Sequence, residues 1–375
     1  MTFWEEKNVL VTGGAGFIGS HLVDALVKEG HNVVIYDNLE QQVHDKRPDY
    51  LNEHAEFVSG DIRDRDKLKE IIEDVDVIFH QAAVVGVGQS MYLIEKYVDV
   101  NTLGTAKLLD ILANEEHRVQ KLIIASSMSI YGEGKYECED CGIVYPGLRP
   151  DEQLKNRQWE MKCPDCGKIV RPVSTDENKP LQPTSIYAIT KKDQEEMCLL
   201  TGRTYGIPTV ALRYFNIYGP RQSLSNPYTG VCAIFSSRIK NDNPPLIFED
   251  GLQTRDFINI KDVVQANLLV MKSSRANYGA FNVGTEIPTS ILNIADTLIR
   301  LYGKDLAPEI VNKYRSGDIR HCYADISKIR KLGFKPQIGF IEGMKELAEW
   351  GETQEAVDRF EEAHRKLINK GLVER

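Results

Sequence analysis

The chain has 375 residues, enough to bury a large core as one big domain or two smaller ones. It is 42% apolar and 27% charged, an ordinary soluble composition, and its formal charge of −9 disfavours nucleic acid or an anionic membrane as the main partner. No apolar run approaches the roughly 18–20 residues of a membrane span. Met1-Thr-Phe-Trp-Glu-Glu-Lys7 leads into the first strand without a signal-peptide pattern, so a cytoplasmic location is expected.

Asn8-Val-Leu-Val-Thr12 reads as a buried parallel strand, followed at once by Gly13-Gly-Ala-Gly16-Phe-Ile-Gly19. Apolar residues at helical spacing then run through Ser20–Lys28. Strand, glycine turn and helix N-terminus together form a pyrophosphate cradle, with unpaired N–H groups and a positive dipole aimed at the phosphates. A second strand, His31–Tyr36, ends in Asp37. A carboxylate there binds ribose hydroxyls and repels a 2′-phosphate, which favours NAD over NADP.

Further strand signals follow at Glu56–Ser59, before Gly60-Asp61-Ile62, and at Val75–Phe79, before His80-Gln81-Ala82-Ala83. Helical stretches near 91–117 lead to another strand, Lys121–Ser126. This alternation predicts a doubly wound α/β sheet with the ligand at the carboxyl ends of its strands. Asp61 and Ile62 are placed to hold the adenine, and Ala82 and Ala83 to pass beneath the phosphates. His80 is expected to pack rather than react.

Downstream, Tyr187 and Lys191 stand four residues apart, a spacing that puts both on one helix face. An adjacent ammonium favours the phenolate and should lower the tyrosine pKa, making Tyr187 a base for a sugar or alcohol hydroxyl. The later chain is more broken, with strands at Thr209–Phe215 and Gly279–Val283 and Pro/Gly-rich loops at 219–230 and 242–254. The last 30 residues read as a charged amphipathic helix, a solvated cap.

Between these halves lie Cys138-Glu-Asp-Cys141-Gly and Cys163-Pro-Asp-Cys166-Gly, with 21 residues between the pairs. Two C-x-x-C-G turns at this distance signal a four-thiolate zinc site. Disulfides are the alternative, disfavoured in a reducing compartment. Four thiolates close the zinc shell, so the site is expected to be structural. Residues 135–172 carry seven Lys/Arg and seven Asp/Glu, a balance that argues against a nucleic-acid ribbon. Cys198, Cys232 and Cys322 read as small buried residues.

Together these motifs resemble the extended short-chain dehydrogenase/reductase superfamily, in its nucleotide-sugar epimerase branch. The likeness rests on Thr12–Gly19, Asp37-Asn38-Leu39, Gly60–Ile62, His80–Ala83, Ser126-Ser-Met-Ser-Ile-Tyr-Gly132, Tyr187-x-x-x-Lys191, Arg213–Arg221 and Gln253–Phe257. It implies Ser127 as the catalytic hydroxyl, Tyr187 as the base and Lys191 as its activator. For NAD it implies Gly13, Gly16, Phe17, Ile18, Gly19, Asp37, Asn38, Asp61, Ile62, Gln81, Ala82, Ala83 and Asn101. Tyr187, Lys191 and Phe215, the last beside the nicotinamide, complete that set. Asn216, Arg255 and Arg320 are implied to hold the sugar-nucleotide diphosphate, alongside Ser127 and Tyr187 as substrate contacts. A homodimer through helices near 91–117 and 186–204 is also implied.

Two residues narrow the reaction. The family's 4,6-dehydratases follow the catalytic hydroxyl with an Asp-Glu pair, and its decarboxylases also place a Glu there. Met128 and Ser129 can serve neither elimination nor decarboxylation as acid or base. The expected reaction is therefore 4-epimerisation through a 4-keto sugar. The insertion and the segment Phe248–Phe257 resemble dTDP-L-rhamnose 4-epimerases most, with UDP-glucose or UDP-N-acetylglucosamine 4-epimerases close behind. A net sugar-nucleotide oxidoreductase and a non-catalytic NAD sensor are the rival readings. The expected division is a Rossmann domain over 1–134 and 173–208, a zinc ribbon over 135–172, a smaller substrate lobe mainly over 209–345, and a C-terminal helix over 346–375.

Overall fold

The computed structural model describes residues 6–44 and 46–374. Residues 1–5, on which the signal-peptide expectation largely rests, lie outside them. Seven parallel strands form the main sheet: β1 (Asn8–Thr12), β2 (Asn32–Asp37), β3 (Glu56–Ser59), β4 (Val77–His80), β5 (Lys121–Ser127), β6 (Thr209–Tyr214) and β7 (Gly279–Val283). Their spatial order is β7-β6-β5-β4-β1-β2-β3. Winding reverses between β1 and β4, which opens a crevice at the carboxyl ends of these strands. The α/β doubly wound expectation holds.

Apolar runs rather than alternating ones build this sheet because both faces are covered. Val9, Val11, Phe79, Ile123 and Leu212 join the core on one face; Leu10, Ile78, Leu122, Ile124 and Ala211 join it on the other. Each side is sealed by helices, among them Phe17–Lys28 and Ile260–Lys272 on the first and Gly104–Asn114 and Ile186–Tyr205 on the second.

The later chain returns two strands to the main sheet and builds a second, four-stranded sheet from Asn216–Tyr218, Thr254–Asn259, Pro288–Ser290 and His321–Cys322. The insertion forms its own three-stranded antiparallel sheet, Lys135–Cys138, Gly142–Val144 and Arg171–Val173. Its core is small: Tyr136, Cys138, Val144, Met161, Cys163 and Val170. The chain end carries two helices, Phe340–Glu352 and Phe360–Asn369, rather than one. Among the described residues no helix is long and apolar enough to cross a membrane.

Candidate active site

A cavity of about 650 Å³ runs along the carboxyl ends of the strands. At one end lies the glycine turn. Gly13 has φ +68, and a Cβ there would sit 2.8 Å from the Ala82 nitrogen. A Cβ on Gly19 would sit 2.2 Å from the Gly13 oxygen, so helix and turn approach closely only without a side chain. Asp37 ends β2 with its carboxylate accepting from the N–H groups of Ala15 (3.1 Å) and Leu39 (2.8 Å). Asn38 donates to Asp61 at 2.8 Å, and Arg63 grips the same carboxylate, which holds the Asp61 pKa well below the usual range. Gly13, Gly16, Phe17, Ile18, Gly19, Asp37, Asn38, Asp61, Ile62, Gln81, Ala82 and Ala83 all line this end.

Asn101 does not line it. Its amide bonds the Val84 N–H (2.8 Å) and C=O (3.1 Å) and reaches Thr190 at 3.0 Å. It sits inside the fold and fixes the loop that follows Ala83. His80 is likewise internal, bonded to Thr12 and Thr105, with burial and Lys191 pushing its pKa down to about 3. It is a neutral packing residue.

Ser127 closes β5, and Tyr187 opens the helix Ile186–Tyr205. Ser185 caps that helix by accepting from Ala188 N at 3.1 Å, while Ser90 accepts from Tyr187 N at 3.0 Å. Two first-turn N–H groups are thereby satisfied, and the Tyr187 side chain is fixed one turn before Lys191. Ser127 Oγ accepts from both Ser129 N (3.1 Å) and Ser129 Oγ (2.8 Å). Its own hydrogen is therefore left for another partner, and Tyr187 lines the same part of the cavity. Met128 and Phe215 complete the apolar wall.

The expected lowering of the Tyr187 pKa does not hold in the protein by itself. Burial pushes the phenol up, with the Ser127 hydrogen bond pulling the other way. Burial also pushes the Lys191 ammonium down to about 8. Desolvation penalises both charged forms.

Beyond this centre the lining changes to Asn216, Gln222, Gln253, Arg255 and Arg315. Arg255 donates to the carbonyls of Thr254, Arg320 and Ile319, using three of a guanidinium's five N–H groups. Arg320 is not part of this wall. Its side chain is fully buried and bonds Glu160, Glu249 and Asp250. Three carboxylates consume the charge that a diphosphate would need. Arg315, five residues earlier and not among the residues the resemblance implies, lines the cavity instead and is held by Asp318 at 2.8 Å.

Four buried side-chain oxygens here lack a partner among the described residues: Gln81 Oε1, Asn216 Oδ1, Gln222 Oε1 and Gln253 Oε1. Unpaired buried acceptors suit a ligand rich in hydroxyl and amide donors, such as a dinucleotide and a sugar. Lid loops enclose the space: Gln42 bonds Gln89 (3.2 Å) and Asn226 (3.3 Å), and Tyr92 meets Tyr228 at 2.6 Å.

A profile of the NAD dependent epimerase/dehydratase family matches residues 9–147 and 164–284. The chain belongs to this family. The unmatched stretch between the two segments falls inside the cysteine insertion. A dTDP-L-rhamnose 4-epimerase of Burkholderia thailandensis is 36% identical over 349 residues, covering 92% of this chain and 94% of that protein. Among solved structures, a UDP-glucose 4-epimerase of Thermotoga maritima with UDP-glucose superposes with a TM-score of 0.75 at 30% identity, covering 92% and 98% of the two chains. A UDP-glucuronic acid 4-epimerase of Bacillus cereus, holding UDP-glucuronic acid and NAD, gives 0.76 at 28% identity, covering 92% and 99%. The family expected from the motifs is the family found.

The insertion carries the four cysteines. The sulfurs of Cys138, Cys141, Cys163 and Cys166 all lie within 4.8 Å of one another, with Cys138 and Cys166 at 3.5 Å. Tetrahedral Zn–S bonds of about 2.3 Å place sulfurs about 3.8 Å apart, so the donor set suits that ion. All seven cysteines are free thiols. The insertion also reaches the ion network behind the cavity wall: Arg149 forks onto Glu249 at 2.7 and 2.9 Å, and Glu160 bonds Arg320.

Proposed function

We propose that this protein is an NAD-dependent nucleotide-sugar 4-epimerase acting on dTDP-L-rhamnose. The observation that supports the reaction is the Ser127 site: its oxygen accepts from Ser129, it shares the cavity wall with Tyr187 and Lys191, and the residues that follow it, Met128 and Ser129, carry no carboxyl group. Tyr187 takes the proton of the C4 hydroxyl and later returns one to the same oxygen. Ser127 donates to that oxygen and steadies the developing carbonyl. Lys191 lines the same cavity, where with NAD bound its ammonium would stabilise the Tyr187 phenolate and hold a ribose hydroxyl. Bound NAD supplies the hydride acceptor at C4 and the donor on the opposite face. Gln81 and Asn216 offer free acceptors to cofactor and substrate, and Arg255 with Arg315 offers positive charge to the diphosphate.

The sugar reading draws on the 36% identity to the Burkholderia protein. Proton NMR of dTDP-L-rhamnose, UDP-glucose and UDP-N-acetylglucosamine, each incubated with enzyme and NAD, tests it. A changed H4 coupling in the first, without growth of NADH absorbance, is the expected result. Conversion of a UDP-sugar instead would reassign the substrate, and accumulating NADH would replace epimerisation by net oxidation.

We further propose a structural zinc on Cys138, Cys141, Cys163 and Cys166, a cytoplasmic location in keeping with reduced thiols, and a homodimer. For the dimer, Ile94, Val98, Leu103, Ile189 and Leu200 are exposed apolar residues on neighbouring helical segments. Leu103→Glu is expected to halve the mass measured by light scattering. A mass equal to wild type would remove this surface from consideration.

A further inference from the structure

Past Arg255 and Arg315 the cavity wall is made by Phe248 and by the last helix, through Phe360, His364 and Leu367. That helix is firmly seated. Arg238 lies 4.5 Å from the Phe360 ring and bonds Glu361 at 3.1 Å, and Asn243 bonds Asp358 at 2.8 Å. The strand-like end beyond it pairs back, with Ser316 N donating to Leu372 O at 3.0 Å. His364 stacks on Phe360 (centroids 5.6 Å apart, planes 14° apart) and meets Phe248 at 5.6 Å and 59°. The Arg315 guanidinium lies 4.7 Å from the Phe248 ring, so the aromatic group adjoins the cationic one.

Neither imidazole nitrogen of His364 has a hydrogen-bond partner among the described residues. Partial burial, reinforced by Arg315, Lys313 and Arg238 against Glu361, pushes its pKa down, so it offers one donor and one acceptor at neutral pH. A sugar nucleotide is linear in order: sugar, diphosphate, ribose, base. With C4 at Tyr187 and the diphosphate at Arg255 and Arg315, the nucleoside reaches this wall.

Resting on the sugar-nucleotide reading above, we propose that the C-terminal helix supplies His364 as a specificity residue that hydrogen-bonds the pyrimidine base, with Phe360 and Phe248 holding the imidazole in orientation. His364 is remote from the reacting carbon, so its contribution falls on binding rather than on the chemical step.

The test is calorimetric titration of UDP and of dTDP into wild-type, His364→Phe and His364→Ala enzyme. His364→Phe keeps a ring between the two phenyls and removes only the hydrogen bond. It is expected to weaken both nucleoside diphosphates about tenfold and to raise KM in parallel, with a much smaller change in kcat and unchanged NAD affinity. His364→Ala, which also opens the stack, should weaken them at least as much. Wild-type affinity in His364→Phe, or an equal loss of NAD affinity, overturns the proposal while leaving the epimerase reading intact. If wild-type enzyme binds neither UDP nor dTDP, the sugar-nucleotide reading fails and this inference with it.

Discussion

Tyr187→Phe is expected to reduce kcat/KM by about 10³ to 10⁴, the range for loss of a positioned general base. The ring is retained, and its edge-on contact with Tyr97 (6.4 Å, 86°) does not involve the hydroxyl. The helix start is held by Ser185 and Ser90 through backbone bonds, so NAD affinity and melting temperature should not move. Ser127→Ala should cost less, about 10² to 10³, because the donor assists a charge that the base creates. Residues acting on one oxygen are not additive, so the double variant is expected near Tyr187→Phe alone. The pH profile carries a sign as well. Tyr187 works only after losing its proton, and burial raises that pKa, so kcat/KM rises with pH in wild type. The residual activity of Tyr187→Phe should lack this limb. Turnover within tenfold of wild type would remove Tyr187 from the role of base.

The architecture was readable where chemistry and backbone share one short segment. Asn8–Gly19 combines a strand buried on both faces, a turn that leaves no room for a Cβ at Gly13 or Gly14, and a helix start, and each requirement leaves a mark on residue type. Tyr187 and Lys191 are equally local, since helix periodicity alone brings them together. Arg320 illustrates the limit. Two arginines flank the Ser316–Asp318 turn, and only the fold decides which meets the cavity and which meets Glu160, Glu249 and Asp250. Those carboxylates lie far away in sequence, so no local pattern announces them. Asn101 is similar: its bonds run to the Val84 backbone and Thr190, partners that no local pattern announces.

The last helix was misjudged in another way. Phe360, Ala363, His364 and Leu367 form an i, i+3, i+4, i+7 stripe, which marks a docking face without naming what it docks on. Its many charges suggested a solvated cap. In the fold the stripe faces Phe248 and the cavity, and charge such as Glu361 serves to anchor it. A pattern on one element reports that a surface is covered; the chemistry of the covering partner is a tertiary fact.

If the proposed zinc is bound, its removal is expected to have the largest effect on stability and to appear in substrate binding rather than in NAD binding. The ribbon's six buried core residues include two of the four cysteines, so without metal little apolar burial remains to hold it. Its loss would withdraw Arg149 and Glu160 from a buried ion network. Glu249 is almost fully buried and lies between Arg149 and Arg320, and breaking such a group typically costs about 3–5 kcal/mol. A fall in melting temperature of about 4–6 °C should follow. The same network backs the segment that carries Arg315 and the loop that carries Phe248, since Arg149 also bonds the Asp318 carbonyl at 3.1 Å. KM for the sugar nucleotide should therefore rise more than tenfold, whereas the glycine cradle, between β1 and the helix Phe17–Lys28, shares no bond with this network among the described residues and should keep its NAD affinity. Glu249→Gln separates a structural metal from a catalytic one. It disturbs the network without touching a cysteine, and should reproduce both the lower melting temperature and the higher KM with zinc still bound by elemental analysis. If chelation instead abolishes turnover at unchanged melting temperature and Glu249→Gln behaves as wild type, the metal belongs to the chemistry and the structural assignment is wrong.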